Sequence, residues 1–221
     1  VVVIIGKTGV GKSAFIQLTN GVKFERVEKQ KGGGFSYKPT AGNENYLPEF
    51  KVGYNQQAET SVLRTYKAPS GLVYCDLPGF KDTRSYSVDI ATTVWINKIA
   101  ATAKSIRFVL LIHRATITEG RGSGFVELMQ IFTTMVKNYE DIMESVLVLF
   151  THMSDDLKYE GDEVELQKSL QREIEETYRP LEQNKTVVNT PVINFMKDIK
   201  DSMKSFITNG EFEYCKNVRI L

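Results

Sequence analysis

Five β-branched apolar residues, Val1-Val2-Val3-Ile4-Ile5, run directly into Gly6-Lys7-Thr8-Gly9-Val10-Gly11-Lys12-Ser13, and Ala14, Phe15 and Leu18 then set apolar side chains on one side of a helical pattern. A short run that is apolar on both faces reads as a strand buried between two layers, which is the habit of parallel sheets in α/β folds. The segment between strand and helix fits the pattern GxxxxGK(S/T). Its glycines let the backbone approach a ligand closely, and the N–H groups of the following helix start point at whatever the loop encloses. Such a loop suits phosphate oxygens. Gly6, Lys7, Thr8, Gly9, Val10, Gly11, Lys12, Ser13 and Ala14 are therefore the expected phosphate cradle, with Lys12 reaching the β- and γ-phosphates and the Ser13 hydroxyl on Mg²⁺.

The rest of the chain supports that fold class. Residues 21–59 contain "KGGGFSYKPTAGNENYLPEF", whose clustered Gly, Pro and Asn predict a long switch-region loop without regular structure for most of its length. "TSVLRTYKAPSGLVYCD" then gives two short strand patterns around Pro69-Ser70-Gly71, the signature of an antiparallel hairpin. Beyond it, periodicity predicts helix over 88–104, strand over 106–113, helix over 125–137, strand over 145–151, helix over 164–178 and strand over 191–195. This alternation predicts a doubly wound, mostly parallel sheet with one antiparallel edge strand. With 221 residues, 42% of them apolar, there is chain enough for one sizeable core, so a single domain over 1–221 is expected. The chain starts on a strand without methionine and is expected to be cut from a longer protein, with 211–221 the start of a following element.

Charge and cysteines narrow the partners. Lys and Arg number 28 against 27 Asp and Glu, so no overall field favours nucleic acid or an anionic membrane. The longest apolar runs, Val109–Ile112 and Val146–Phe150, fall far short of the ~20 residues of a membrane helix. Cys75 and Cys215 lie far apart without metal-ligand spacing, which predicts buried thiols in a reducing compartment, cytoplasmic or cytoskeleton-associated.

A second motif complements the first. In "LVYCDLPGF", Asp76 stands at the end of the strand expected beside the opening one, where it would hold Mg²⁺ through water. The Gly79 amide would meet the γ-phosphate and sense its loss. The two motifs together point to a nucleoside triphosphatase fold of the GTPase type.

GKTGVGKS, a DxPG motif and the "FTH" segment, in this order, resemble the septin-related branch of P-loop GTPases, which includes the immunity-associated and chloroplast translocon GTPases. "FKVGYNQQAETS", "CDLPGFKDTRS" and "EGRGSGF" resemble G domains embedded in large eukaryotic proteins. The resemblance implies that Thr60 is the switch threonine on Mg²⁺ and γ-phosphate, with Thr40 in "KPTAG" as its rival. It implies that His152 in "LFTHMSDDL" stacks on guanine and that Asp155, or else Asp156, reads the base edge. Met196 and Lys197, after the last predicted strand, would lie near the base. Where Ras-like enzymes carry a water-orienting glutamine this chain has Phe80, which predicts slow hydrolysis. Arg114, in Arg114-Ala115-Thr116, resembles an arginine that some relatives offer to a partner's phosphates across paired G domains, and Arg121 is a lesser candidate. The resemblance thus implies a GTP- or GDP-binding, Mg²⁺-dependent switch or assembly module, partnered by another G domain or a protein assembly. The alternatives are a structural G domain that holds nucleotide without cycling and an ATPase of the same fold.

Overall fold

The computed structural model describes residues 1–28, 35–52, 62–79, 86–136, 138–152, 163–184, 186, 190–204 and 218–220. They form an α/β arrangement whose sheet pairings are mostly parallel, with a small separate antiparallel sheet. The chain divides into two compact units, Val1–Ile106 and Arg107–Leu221.

In the first unit, β1 (Val2–Ile5) is buried at every position, as its unbroken apolar run requires. The glycine-rich segment 6–11 leads from it into α1 (Lys12–Thr19). The region 21–59, expected to lack regular structure, instead contains β2 (Phe24–Glu28) and β3 (Phe35–Pro39), which pair antiparallel from Phe24↔Pro39 to Glu28↔Phe35. Both strands are mixed in polarity and β2 is largely exposed, so the sequence has no buried face to announce them. The hairpin read around Pro69-Ser70-Gly71 is present as β4 (Arg64–Lys67) and β5 (Val73–Asp76), joined by a turn in which the Gly71 N–H donates to Ala68 O at 2.9 Å. Gly71 has φ +83°, the left-handed conformation this turn needs. β5 pairs parallel with β1, so the unit's sheet order is β4-β5-β1 with β4 the antiparallel member. The unit also carries α2 (Tyr86–Thr102).

In the second unit, β6 (Arg107–His113) and β7 (Val146–Thr151) pair parallel and are buried almost throughout. Between them lie the short α3 (Ala115–Thr118) and α4 (Ser123–Met135). α5 (Glu163–Gln183) buries Leu166, Leu170, Ile174 and Tyr178, a row at four-residue spacing. The strand expected over 191–195 is not formed. Those residues lie in α6 (Thr190–Lys204), with Pro191 in the first turn where its missing N–H costs nothing. Val192, Ile193, Met196, Ile199 and Met203 are all buried, a 3.6-residue stripe that continues well past the short "PVINF" run. Parallel to β7 is β8 (Val218–Ile220), paired from Val148↔Val218 to Phe150↔Ile220. An aromatic cluster fills the core: Phe132 stacks on Phe195 at 5.0 Å, Phe108 meets Phe132 edge-on, and Tyr139 tilts against Phe195 at 4.9 Å.

Candidate functional site

β1 ends at Ile5, and the loop after it carries two left-handed glycines, Gly9 at φ +81° and Gly11 at φ +100°. Added Cβ atoms would meet nothing within 4 Å at either position, so conformation and not crowding demands glycine there. Gly11 occupies the N-cap of α1 in the left-handed conformation and provides no side-chain cap. Lys12 is buried, and its Nζ donates to Gly6 O at 3.1 Å and Lys7 O at 3.0 Å, so the ammonium is folded over the loop's own carbonyls. The next side chain reaches across to the neighbouring strand: Ser13 Oγ donates to Asp76 Oδ2 at 2.8 Å. Asp76 is fully buried at the end of β5, in register with Ile4 of β1. Parallel pairing of β1 and β5 is what brings the two sequence motifs together.

Their contact is closer still at Gly79. A Cβ there would lie 2.4 Å from both Thr8 N and Thr8 Oγ1 and 2.7 Å from Thr8 Cα. The backbone after Asp76 is thus pressed against the glycine loop at Thr8, and only glycine fits. An oxygen pair from Ser13 and Asp76 suits a hard cation such as Mg²⁺, which keeps waters and phosphate oxygens in its shell and needs only one or two protein ligands. Among the described residues, no cluster of three or more His, Cys, Asp or Glu side chains that could hold a metal ion exists.

The two switch-threonine candidates fare differently. Thr60 lies outside the described residues. Thr40 is engaged at the base of the β2–β3 hairpin: its N–H donates to Lys23 O at 2.9 Å, its hydroxyl to the same oxygen at 3.3 Å, and Asn43 Nδ2 donates to that hydroxyl at 3.4 Å. Downstream, the segment 45–50 is fastened to α1. Fully buried Gln17 donates through Nε2 to Leu47 O at 2.7 Å and Phe50 O at 3.1 Å and accepts the Leu47 N–H at 3.0 Å. Asn20 Nδ2 donates to Asn45 O at 2.6 Å, and the Tyr66 hydroxyl donates to Asn20 Oδ1. Sequence reading missed Gln17, whose only signal is an amide at a position where α1 should be apolar.

In the second unit the base-reading candidates stand at the ends of β6 and β7. His152 follows β7 with φ +58° and is exposed, and its ring stacks on His113 with 4.1 Å between centroids. Asp155, Asp156 and Phe80 lie outside the described residues. Met196 is in the middle of α6 and fully buried, not in a loop after a strand, so the placement that nominated it is corrected. Lys197 pairs with Glu182. Hydrogen bonding to that carboxylate, with burial opposing, raises the Lys197 ammonium above its usual range. Arg114 is 8% exposed, and its guanidinium donates to Glu173 Oε1 at 3.1 Å within the same unit. Ser169 Oγ donates to that same carboxylate oxygen at 3.0 Å. The Arg-x-Thr segment has local work instead: the Thr116 hydroxyl donates to His113 O at 2.7 Å and the Ala115 N–H to His113 Nδ1 at 3.0 Å. Arg121 is exposed, between Gly120 and Gly122 in a left-handed turn, with φ +57°.

Cys75 is buried on β5, and burial pushes its thiol above the usual range, while Cys215 lies outside the described residues. Among the described residues, no helix is long and apolar enough to cross a membrane. Comparison with protein-family models, with curated proteins and with solved structures finds no match for this chain.

Proposed function

We propose that the chain is a Mg²⁺-dependent guanine-nucleotide-binding domain of the doubly wound P-loop type, with slow GTP hydrolysis, acting as a switch or assembly module. One observation carries the reading: a strand, a left-handed glycine loop and a helix start converge with Lys12 folded over the loop, Ser13 bonded to Asp76, and Gly79 against Thr8. In this reading the loop N–H groups and Lys12 take the β- and γ-phosphates, Ser13 and Asp76 take Mg²⁺ directly or through water, and Thr60 completes the shell in the triphosphate state. His152 and Asp155 take the base. Guanine over adenine rests on the resemblance of "FTH" and the aspartates after it to septin-related GTPases.

A second form of the reading, a G domain that holds nucleotide without cycling, is favoured by Arg114, whose burial against Glu173 removes the arginine expected to serve a partner. The buried Cys75 thiol fits a reducing compartment, cytoplasmic or cytoskeleton-associated.

Titration calorimetry with GTP, GDP and ATP in Mg²⁺ is the test. Guanine nucleotides should bind more tightly than ATP, and Lys12→Ala should abolish binding while leaving far-UV circular dichroism intact. Equal or tighter ATP binding would turn the reading to an ATPase of the same fold, and no nucleotide binding at all would overturn it.

A further inference from the structure

β6 and β7 run parallel with His113 opposite Thr151, so the end of one strand and the residue after the other bring two imidazoles together. The rings lie nearly parallel, 17° apart, with 4.1 Å between centroids. The stack is built from both sides. His152 takes φ +58°, a backbone conformation that residues with a Cβ seldom adopt and that tends to be kept where a site requires it. His113 is half-buried, and the Ala115 N–H fixes its ring through Nδ1 while the Thr116 hydroxyl fixes its carbonyl. With Nδ1 an acceptor, the neutral ring carries its proton on Nε2, and a neutral ring stacks on its neighbour without charge repulsion.

Ligands of open α/β sheets bind beyond the carboxyl ends of the strands, where this pair stands. Nucleobases bind there by laying a face on an aromatic or histidine ring. His152 is exposed, and an exposed ring alone would lose rotational freedom on binding a base. Stacking on the anchored His113 removes that freedom beforehand. We propose that His113 is a positioning residue that holds the His152 ring as a preformed platform for the purine base, an inference that rests on the nucleotide-binding reading above.

The test separates base from phosphate by titrating GTP and inorganic tripolyphosphate, each with Mg²⁺, into the full chain. His113→Ala should weaken GTP about tenfold, within the range of a lost base stack, and tripolyphosphate by less than about twofold. His113→Leu, which keeps bulk without a ring plane, should behave like His113→Ala. His113→Phe, which keeps the plane, should hold GTP affinity within about threefold of wild type. Thermal midpoints measured alongside identify any variant that fails to fold. Equal loss for GTP and tripolyphosphate, or no loss for either in both His113→Ala and His113→Leu, overturns the platform while leaving the phosphate reading in place. Wild-type chain that binds neither ligand overturns the nucleotide reading and the platform with it.

Discussion

Replacing Gly79 by alanine puts the largest structural demand on the fewest atoms. The new methyl would stand 2.4 Å from Thr8 N and Oγ1 and 2.7 Å from Thr8 Cα, whereas carbon contacts relax at about 3.5–4.0 Å. Loop and strand end must therefore separate by roughly 1 Å. Thr8 Oγ1 can rotate away, but the other two atoms are backbone. Buried β1 and the buried end of β5, paired at Ile4↔Asp76, restrain both segments close to the contact. Overpacking of this kind costs about 1–3 kcal/mol, and an expected value of about 2 kcal/mol follows from having two immobile atoms in the clash. Urea denaturation should show the midpoint falling with m unchanged. GTP affinity should fall at least tenfold, because a loop displaced by about 1 Å no longer presents its N–H groups at one point. Gly71→Ala is the control: with φ +83° and open space around its Cβ it should cost stability through backbone strain alone and leave nucleotide affinity unchanged. Adding Thr8→Ala to Gly79→Ala should recover only part of the loss, since it removes Oγ1 and neither backbone atom. A Gly79→Ala chain with wild-type midpoint and wild-type affinity would refute the close approach and its role.

Gln17→Leu keeps volume but leaves three backbone groups of Leu47 and Phe50 without the amide, and should lower stability by about 3 kcal/mol and speed hydrogen exchange at the Leu47 N–H. Glu173→Ala removes the carboxylate bonded to a nearly buried guanidinium and should cost about 2–3 kcal/mol, less than a dry pair because the side chains keep 10% and 20% exposure, and Arg114→Met added to it should recover part of that. With Arg114 so committed, GTP turnover per domain should not depend on protein concentration, and a dependence that vanishes in Arg114→Ala would show the pair opening. The Asp198 carboxyl is held above its ordinary range by burial and then by the neighbouring Asp201 and Glu140. The native state therefore keeps that proton after the unfolded chain has lost it, so stability falls as pH rises from the ordinary carboxylate range through the raised value. Asp198→Asn should flatten the fall in denaturation midpoints across that window.

What the sequence disclosed follows from where its signals are strong. Val1–Ile5, Val109–Ile112 and Val146–Phe150 are uniformly apolar, and strands buried on both faces leave no other reading of such short runs between turn residues. The Pro69-Ser70-Gly71 turn was equally legible because its chemistry is local. β2 and β3 were not, since strands of mixed polarity resemble loop. α6 failed for a different reason: "PVINF" taken alone matches both periods, and only the buried Ile199 and Met203 beyond it decide for helix. At the candidate site, the glycine loop and the strand-end Asp76 were legible as local structure, because spacing along one chain segment is what a loop and a strand end preserve. Partners from distant segments could not. Glu173 lies 59 residues from Arg114, and nothing in either neighbourhood announces the pair. His113 meets His152 only because β6 and β7 are adjacent.

The charged groups of the chain divide by what they are bonded to before any ligand arrives. Lys12 rests on two carbonyls of its own loop, partners that are neutral and close to where a phosphate would sit. In the proposed reading, exchanging carbonyl oxygens for anionic phosphate oxygens would strengthen the ammonium's hydrogen bonds. Arg114 rests on a carboxylate. Taking it to a partner's phosphates would exchange one anion for another and leave Glu173, with Ser169 bonded to it, nearly buried without its counter-charge. Local chemistry thus favours ligand capture at Lys12 and opposes release at Arg114. Under the proposed nucleotide-binding reading, a lysine resting on neutral carbonyls and an arginine paired with a carboxylate suit a chain that holds a nucleotide longer than it turns it over.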